Sequence, residues 1–370
     1  MKLNIAETIK GLYEKLPTFG FEPDVEKVLG EYLLFVRERE DLLAKAQTWH
    51  DNIFDKNAYT NLELEQLQAE DGWEKGLLLA VTYLARCDKF VDLLNDRGIS
   101  LEHKDIGINT LKGQIKNTIE RDGFIGLHGM SKYHCVKFLK PLEFYLGRLA
   151  FEITKFSCAF VLYKNKHDGS YVWLAREGFK YREFGAQATH DYTGPVFEPT
   201  LTETDTEITG YAFKEDGYLD ISKTVTLSTA EYERYLGPEH DVVSVHIPAK
   251  GKLSEELVDE AFAKAKKFFD DHYPDYNFKA FICSSWLLDK QLEKLVKPDS
   301  NIRKFQKKWT TVMGTANWYS IYWHVFDTVK IVPYEELEPK NSFQQTLLDF
   351  VKVPGNTLYN GHGIILWDKA

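Results

Sequence analysis

The stretch VVSVHIPAKGKLSEELVDEAFAKAKKFFDDHY, residues 242–273, brings Lys250, Gly251, Lys252 and Ser254 together between an alternating segment and a helical one. Those residue types suit an anion cradle. A helix N-terminus offers unpaired N–H groups and a positive dipole end, the lysines add charge, and the glycine lets a ligand approach the backbone. Glu255 and Glu256 act the other way: they complement the dipole themselves and would repel a phosphate that faced them. The same residues also make a capped helix behind a solvated basic loop, because Ser254 is a good N-cap. The stretch by itself leaves both readings open.

Other reactive groups carry weaker patterns. Cys283, Ser284 and Ser285 could supply a nucleophile, but no G-x-S-x-G elbow surrounds them and no histidine is adjacent. Cys283 alternates with Phe281 and reads as core, while Ser285 precedes Trp286, Leu287 and Leu288 and reads as a cap. Arg148 and Glu152 lie on an expected strand and read as an ion pair, with a catalytic role for Glu152 as the alternative. His324, among Trp323, Val325 and Phe326, reads as packed; His362, between Gly361 and Gly363, reads as open and flexible. In SNIRKFQKKWTTV, Ile302, Phe305, Trp309 and Val312 recur at helical spacing. Arg303, Lys304, Lys307 and Lys308 form the opposite face, a solvated surface or a seat for an acidic group. No His, Cys and Asp cluster has metal-ligand spacing, so no metal is expected.

The elements that must position these groups sit in a chain of 370 residues, long enough for two domains. Hydrophobic residues at 44% and charged residues at 28% fit a globular protein with a large core. A net charge of −10 argues against a nucleic-acid partner, which calls for a basic field. The four cysteines are scattered, without a CxxC pair, which points to a reduced compartment. The first residues lack a signal-peptide core, and no apolar run is long enough for a bilayer. A cytoplasmic protein with no membrane partner is the expectation.

Residues 1–140 carry helical periods, among them EKGLLLAVTYLARCDKFVDLLNDRG and HKDIGINTLKGQIKNTIERDG. Gly107 and Gly113 weaken the second by roughly 1 kcal/mol each relative to alanine. From about residue 141 to 370 the pattern turns to short strands with helices between them. GRLAFEITKFSCAFVLYKN and SYVWLAREGFKYREF flank a His-Asp-Gly hairpin signal, TLTETDTEITG reads as a polar loop, and NWYSIYWHVF as a buried strand. In residues 242–247, Val243, Val245 and Ile247 share one face and Val242, Ser244 and His246 the other; Pro248 ends the ladder. Leu257, Ala261, Ala265 and Phe268 then line one side of a helix, joined by Val258, Phe262 and Phe269, and FKAFICSSW follows as the next strand, parallel to the first. The apolar stretch across the boundary predicts docked domains rather than a free linker. The fold class is α+β, an all-helical N-terminal domain and then an α/β domain with a mixed sheet.

HIPAKGKLS at residues 246–254, SWLLD at 285–289 and SNIRKF at 300–305, with LGRLAFE upstream, resemble the bacterial acyltransferase-domain proteins. These pair a helical N-acyltransferase N-terminal domain with a GNAT-like C-terminal domain. The resemblance implies an N-acyltransferase that moves an acyl group from acyl-CoA or acetyl-CoA to a small-molecule amine or peptide acceptor. It makes residues 242–247 the strand beside the thioester and residues 249–254 the pyrophosphate loop. Val245, Ile247, Lys250, Gly251, Lys252 and Ser254 are then the coenzyme-binding positions. It also gives His246 the place of a general base, with Glu152 as the next residue to test; the alternative is a structural histidine that holds the strand end by hydrogen-bonding a neighbouring carbonyl. Arg303 and its neighbours are offered to the coenzyme 3′-phosphate. The loop carries Gly251 alone where GNAT loops carry two glycines. That departure supports an alternative, a ligand-binding or interaction protein on a GNAT-like scaffold. A third reading is a hydrolase using Cys283 or Ser285. The oligomeric state is not legible.

Overall fold

The computed structural model describes residues 3–55, 73–100, 102–127, 131–249, 251–328 and 330–369, so Lys250 lies outside the described residues. The chain divides into two compact units, Met1–Phe144 and Tyr145–Ala370.

The first unit is helical: α1 (Ile5–Lys10), α2 (Leu12–Lys15), α3 (Pro23–Val36), α4 (Glu40–His50), α5 (Trp73–Asp96), α6 (Glu102–Asp122) and α7 (Ser131–Leu139). Helix α5 buries Leu77, Leu78, Val81, Leu84 and Phe90, as its apolar period requires. Gly107, costly inside a helix, has a packing reason: a Cβ there would stand 2.8 Å from the Phe90 ring. No described helix is long and apolar enough to cross a membrane.

The second unit is built on β1 (Glu143–Leu146), β2 (Leu149–Lys155), β3 (Phe160–Asn165), β4 (Tyr171–Ala175), β5 (Tyr181–Arg182), β6 (Val196–Phe197), β7 (Leu201–Glu203), β8 (Glu207–Gly210), β9 (Val225–Ser228), β10 (Tyr232–Leu236), β11 (Asp241–His246), β12 (Ala280–Ser285), β13 (Thr310–Ala316) and β14 (Tyr359–Leu366). Its helices are α8 (Glu255–His272), α9 (Asn301–Lys307) and α10 (Ser342–Lys352). The main sheet has the order β1-β2-β11-β12-β14-β13 and is mixed, as expected: β11 and β12 run parallel, joined by α8, while β2, β14 and β13 pair antiparallel.

Helix α8 covers one face. Val258, Ala261, Phe262, Ala265, Phe268 and Phe269 are buried, and the Phe262 ring meets Phe281 at 5.1 Å and Phe151 at 5.8 Å. Leu257, expected on this stripe, is 41% exposed. The stripe is centred one position later, on Val258 and Ala261, and leaves Leu257 at its edge. The other face packs against the sheet β10-β3-β4 through Phe156, Phe160, Leu162, Val242, Ile282 and Ile364.

Two local readings are corrected. TLTETDTEITG is not a loop but the β7–β8 hairpin, held by pairs from Leu201 with Gly210 to Glu203 with Ile208. Its polarity reflects solvent on one side, and Ile208 fills the core on the other. NWYSIYWHVF is not a strand. It forms a wide helical turn at Ile321–Val325 that buries Ile321, Tyr322 and Val325 against Leu347, Leu348 and Val351 of α10. The spacing of those three residues suits a helical stripe, and aromatic content misled the strand reading. Val312, read as part of a helix, stands on β13.

Candidate active site

Strand β11 alternates as its sequence requires. Val243 and Val245 are buried towards α8, and Ser244 and His246 face the other way. Pairing with β2 sets Ser244 opposite Glu152 and His246 opposite Ala150. Glu152 and His246 are thus diagonal neighbours on one face, and His246 Nε2 lies 2.8 Å from Glu152 Oε2. The Glu152 side chain is 15% exposed and that of His246 42%. The carboxylate is therefore half-sheltered, and the imidazole reaches solvent. Arg148, expected beside Glu152, donates instead from Nε to the Lys252 carbonyl at 2.9 Å and from Nη2 to the Gly251 carbonyl at 3.3 Å.

The seam between β11 and β12 is short. Ladder partners across it are Val243 with Phe281 and Ser244 with Ile282. Beyond them β11 goes on pairing with β2 as far as His246, and β12 with β14 as far as Ser285. Val245 and His246 on one side, and Cys283, Ser284 and Ser285 on the other, have no ladder partner across the opening. An extended ligand can use such edge groups, because backbone amides keep their hydrogen-bonding demand. The opening lies at the C-terminal ends of the two parallel strands, where ligands of α/β sheets bind.

The loop after β11 leads into α8. Gly251 has φ 104°, a conformation that disfavours any side chain. Lys252 is exposed, and Ser254 takes the N-cap position without a side-chain capping bond. Glu255, which opposed an anion here, faces Lys304 at 3.5 Å and Lys308 at 3.9 Å. Lys308 also pairs with Asp259, and Arg303 with Glu293 at 3.0 Å. The basic face of α9 is therefore largely spent on carboxylates, and one of them is the glutamate that would have repelled a phosphate at the loop.

The serine and cysteine candidates have structural partners. Ser285 Oγ accepts from the Leu287 amide at 3.2 Å and caps the turn Trp286–Leu288. Cys283 is 2% exposed, and burial pushes its thiol up to about 12. His324, read as packed, is exposed, with its ring stacked on Trp286 at a centroid distance of 6.4 Å.

A cavity of about 300 Å³ opens beside the seam, lined by Glu152, Thr154, Ser244, Ser284, Cys158 and His362 among others. His362 was read as sitting in a flexible, open setting, and it does not. It stands in β14 opposite Ser284 and Val312, with Nδ1 buried and without a hydrogen-bond partner. Burial holds its pKa down at about 4. The flanking glycines serve packing: a Cβ at Gly361 would meet the Leu288 carbonyl at 2.3 Å, and one at Gly363 would meet Trp309 at 2.8 Å. Alternating glycines in an extended segment are a sequence signal of such close approach. Arg148 carried no comparable signal, since its loop partners lie a hundred residues away in the chain.

A sequence profile describing the GNAT-like C-terminal domain matches residues 144–365. The chain belongs to this family. A comparison with curated protein sequences finds no match. Among solved structures, the chain is similar to an acyltransferase in complex with decanoyl-CoA and teicoplanin, with 18% identity over 96% of this chain and 87% of that one and a TM-score of 0.54. It is similar to an acyltransferase in complex with CoA and 10C-teicoplanin at 17% identity, over 98% and 86% of the two chains, with a TM-score of 0.53. At such identities the likeness is one of fold, and it extends over both units.

Proposed function

We propose that the chain transfers an acyl group from acyl-CoA to the amine of a small-molecule acceptor. The observation that carries this reading is the opening of the β11–β12 seam beside a glycine loop that leads into α8. The edge groups of Val245 and His246 suit an extended amide-bearing arm such as pantetheine, with Ile247 continuing the strand. The loop and the start of α8 suit the pyrophosphate: Gly251 permits close approach, Lys250 and Lys252 add charge, Ser254 opens the helix, and Lys304 and Lys308 offset Glu255. Arg148 holds the loop by its carbonyls. The acyl-CoA and teicoplanin complexes of the similar acyltransferases support the cosubstrate and a small-molecule acceptor.

The chemistry follows from the groups at the opening. The amine nitrogen attacks the thioester carbonyl carbon, and its surplus proton passes to His246. Glu152 orients the imidazole and stabilises the imidazolium formed. Edge amides of the seam can hold the developing oxyanion. The carbon–sulfur bond breaks, and the thiolate leaves and takes up a proton. Cys283 and Ser285 have no part in it. The reading requires no metal and places the reaction in the cytoplasm.

The test is release of free thiol from a series of acyl-CoAs with a panel of amines, alongside thermal shifts with CoA. Saturating CoA at a hundred times its Kd should stabilise the chain by about 2.7 kcal/mol. A shift without turnover would favour a ligand-binding protein on the same scaffold. Neither shift nor turnover would remove coenzyme A from the account.

A further inference from the structure

The cavity beside the seam has a mixed wall, apolar at Cys158, Ile282 and Cys283 and polar elsewhere. Thr154, Ser157, Ser244 and Ser284 bring hydroxyls to its wall, Glu152 brings a carboxylate, and among the described residues no lysine or arginine lines it. His362 completes the wall, and the fold fixes it from several sides. On β14 it is registered with Ser284 and Val312, and its Nε2 lies over Gly314, where a Cβ would come within 2.3 Å. Its Nδ1 is buried without a partner. A buried polar atom left unpaired is costly, and native structures retain few of them. The histidine is partly buried between the two glycines of its strand and brings a polar ring to the cavity wall. The ring is neutral near pH 7, because burial holds its pKa at about 4, so it offers hydrogen bonding without a charge.

We infer that this cavity is the acceptor subsite and that His362 is its specificity-determining residue. It receives a small polar amine, whose ammonium sits against Glu152 while the imidazole hydrogen-bonds a neighbouring hydroxyl or amide of the same molecule. This rests on the acyl-transfer reading for its purpose, but the recognition itself can be tested without acyl transfer. Glu152 supplies the counter-charge that draws in the protonated amine; His246, which reaches solvent, takes the first proton and releases it to water before the attack, so that it can accept the second. The hydroxyls of Ser244 and Ser284 flank the seam from which the thioester would emerge. A plain alkylamine would satisfy Glu152 and leave His362 unpaired, which is the basis of discrimination.

The experiment is calorimetric titration of the full chain, with and without CoA, with ethanolamine and with ethylamine. The expected result is a preference for ethanolamine of about 10-fold or more. His362→Leu should reduce that preference to near unity, and His362→Gln should keep part of it. Gly314→Ala gives a second route, since its methyl group displaces the imidazole without replacing it; it too should abolish the preference. CoA-induced thermal shifts should stay unchanged in all three variants, which separates this inference from the acyl-transfer reading. Equal affinity for the two amines in the wild type, an unchanged preference in both His362→Leu and Gly314→Ala, or no binding of either amine under any of these conditions would overturn it.

Discussion

Strand β12 has two neighbours, and it treats them differently. Towards β14 the ladder runs unbroken through six pairs, from Ala280 with Leu366 to Ser285 with Gly361. Towards β11 it stops after Val243 with Phe281 and Ser244 with Ile282. The closed seam is backed by packing: Leu288 and Trp309 press on Gly361 and Gly363, and aromatic rings crowd Phe281. The open seam ends beside Glu152, His246, a cavity with hydroxyls in its wall and a loop whose φ of 104° at residue 251 favours glycine. The difference teaches that the sheet's hydrogen-bonding is saturated where it carries the core and is left unsaturated where the proposed chemistry takes place.

Disturbing the packed side should cost stability first. Phe281→Ala removes a fully buried ring that meets Phe151, Phe262 and Trp367, and should lower unfolding free energy by about 3–5 kcal/mol in denaturant titration. On the open side, Glu152→Gln or His246→Gln should lower turnover at saturating substrate by about 10²-fold and leave CoA affinity nearly intact. A variant of either residue that lost affinity and rate together would assign the pair a structural role. Gly251→Val forces a side chain onto φ 104° and should weaken CoA binding by about 10-fold in calorimetry, with the fold retained.

A smaller effect is expected with pH. His362 has a folded pKa near 4, below the unfolded value of about 6.5. The unfolded chain binds the extra proton first, so the His362 contribution is fully present above pH 6.5. It is lost as pH falls from 6.5 to 4 and is constant below that. His362→Gln should therefore lose less stability than the wild type across this window, and the two curves should run parallel above it. Curves parallel throughout would mean that the ring is not buried as neutral imidazole.

The sequence carried much of the architecture, because periods are local. The strand–loop–helix–strand order around β11, α8 and β12 follows from alternation, Pro248, Ser254 and a clear amphipathic stripe. The recognisable motifs SWLLD and SNIRKF are largely caps: Ser285, Asp289 and Ser300 accept backbone amides at the starts of short helices. Asp289 also accepts the Tyr359 amide at 2.8 Å, and burial raises its pKa to about 6. In this fold those residues serve the local backbone structure. What stayed hidden depends on register and distance. The contact of His246 with Glu152, the turn of Arg148 to the loop, the extent of the seam and the burial of His362 are properties of strands brought together from far apart in the chain.

Backbone hydrogen exchange with and without CoA tests the central claim most directly. The claim is that the β11–β12 opening holds the pantetheine arm. Among Val245, His246 and Ile247, and among Cys283, Ser284 and Ser285, the alternate amides that face the opening rather than β2 or β14 should exchange more slowly when CoA is bound, as should those of residues 251–256. Amides of β14 facing β12, already saturated, should change little. Binding of CoA by calorimetry with protection elsewhere, and none at Val245 or His246, would contradict the account.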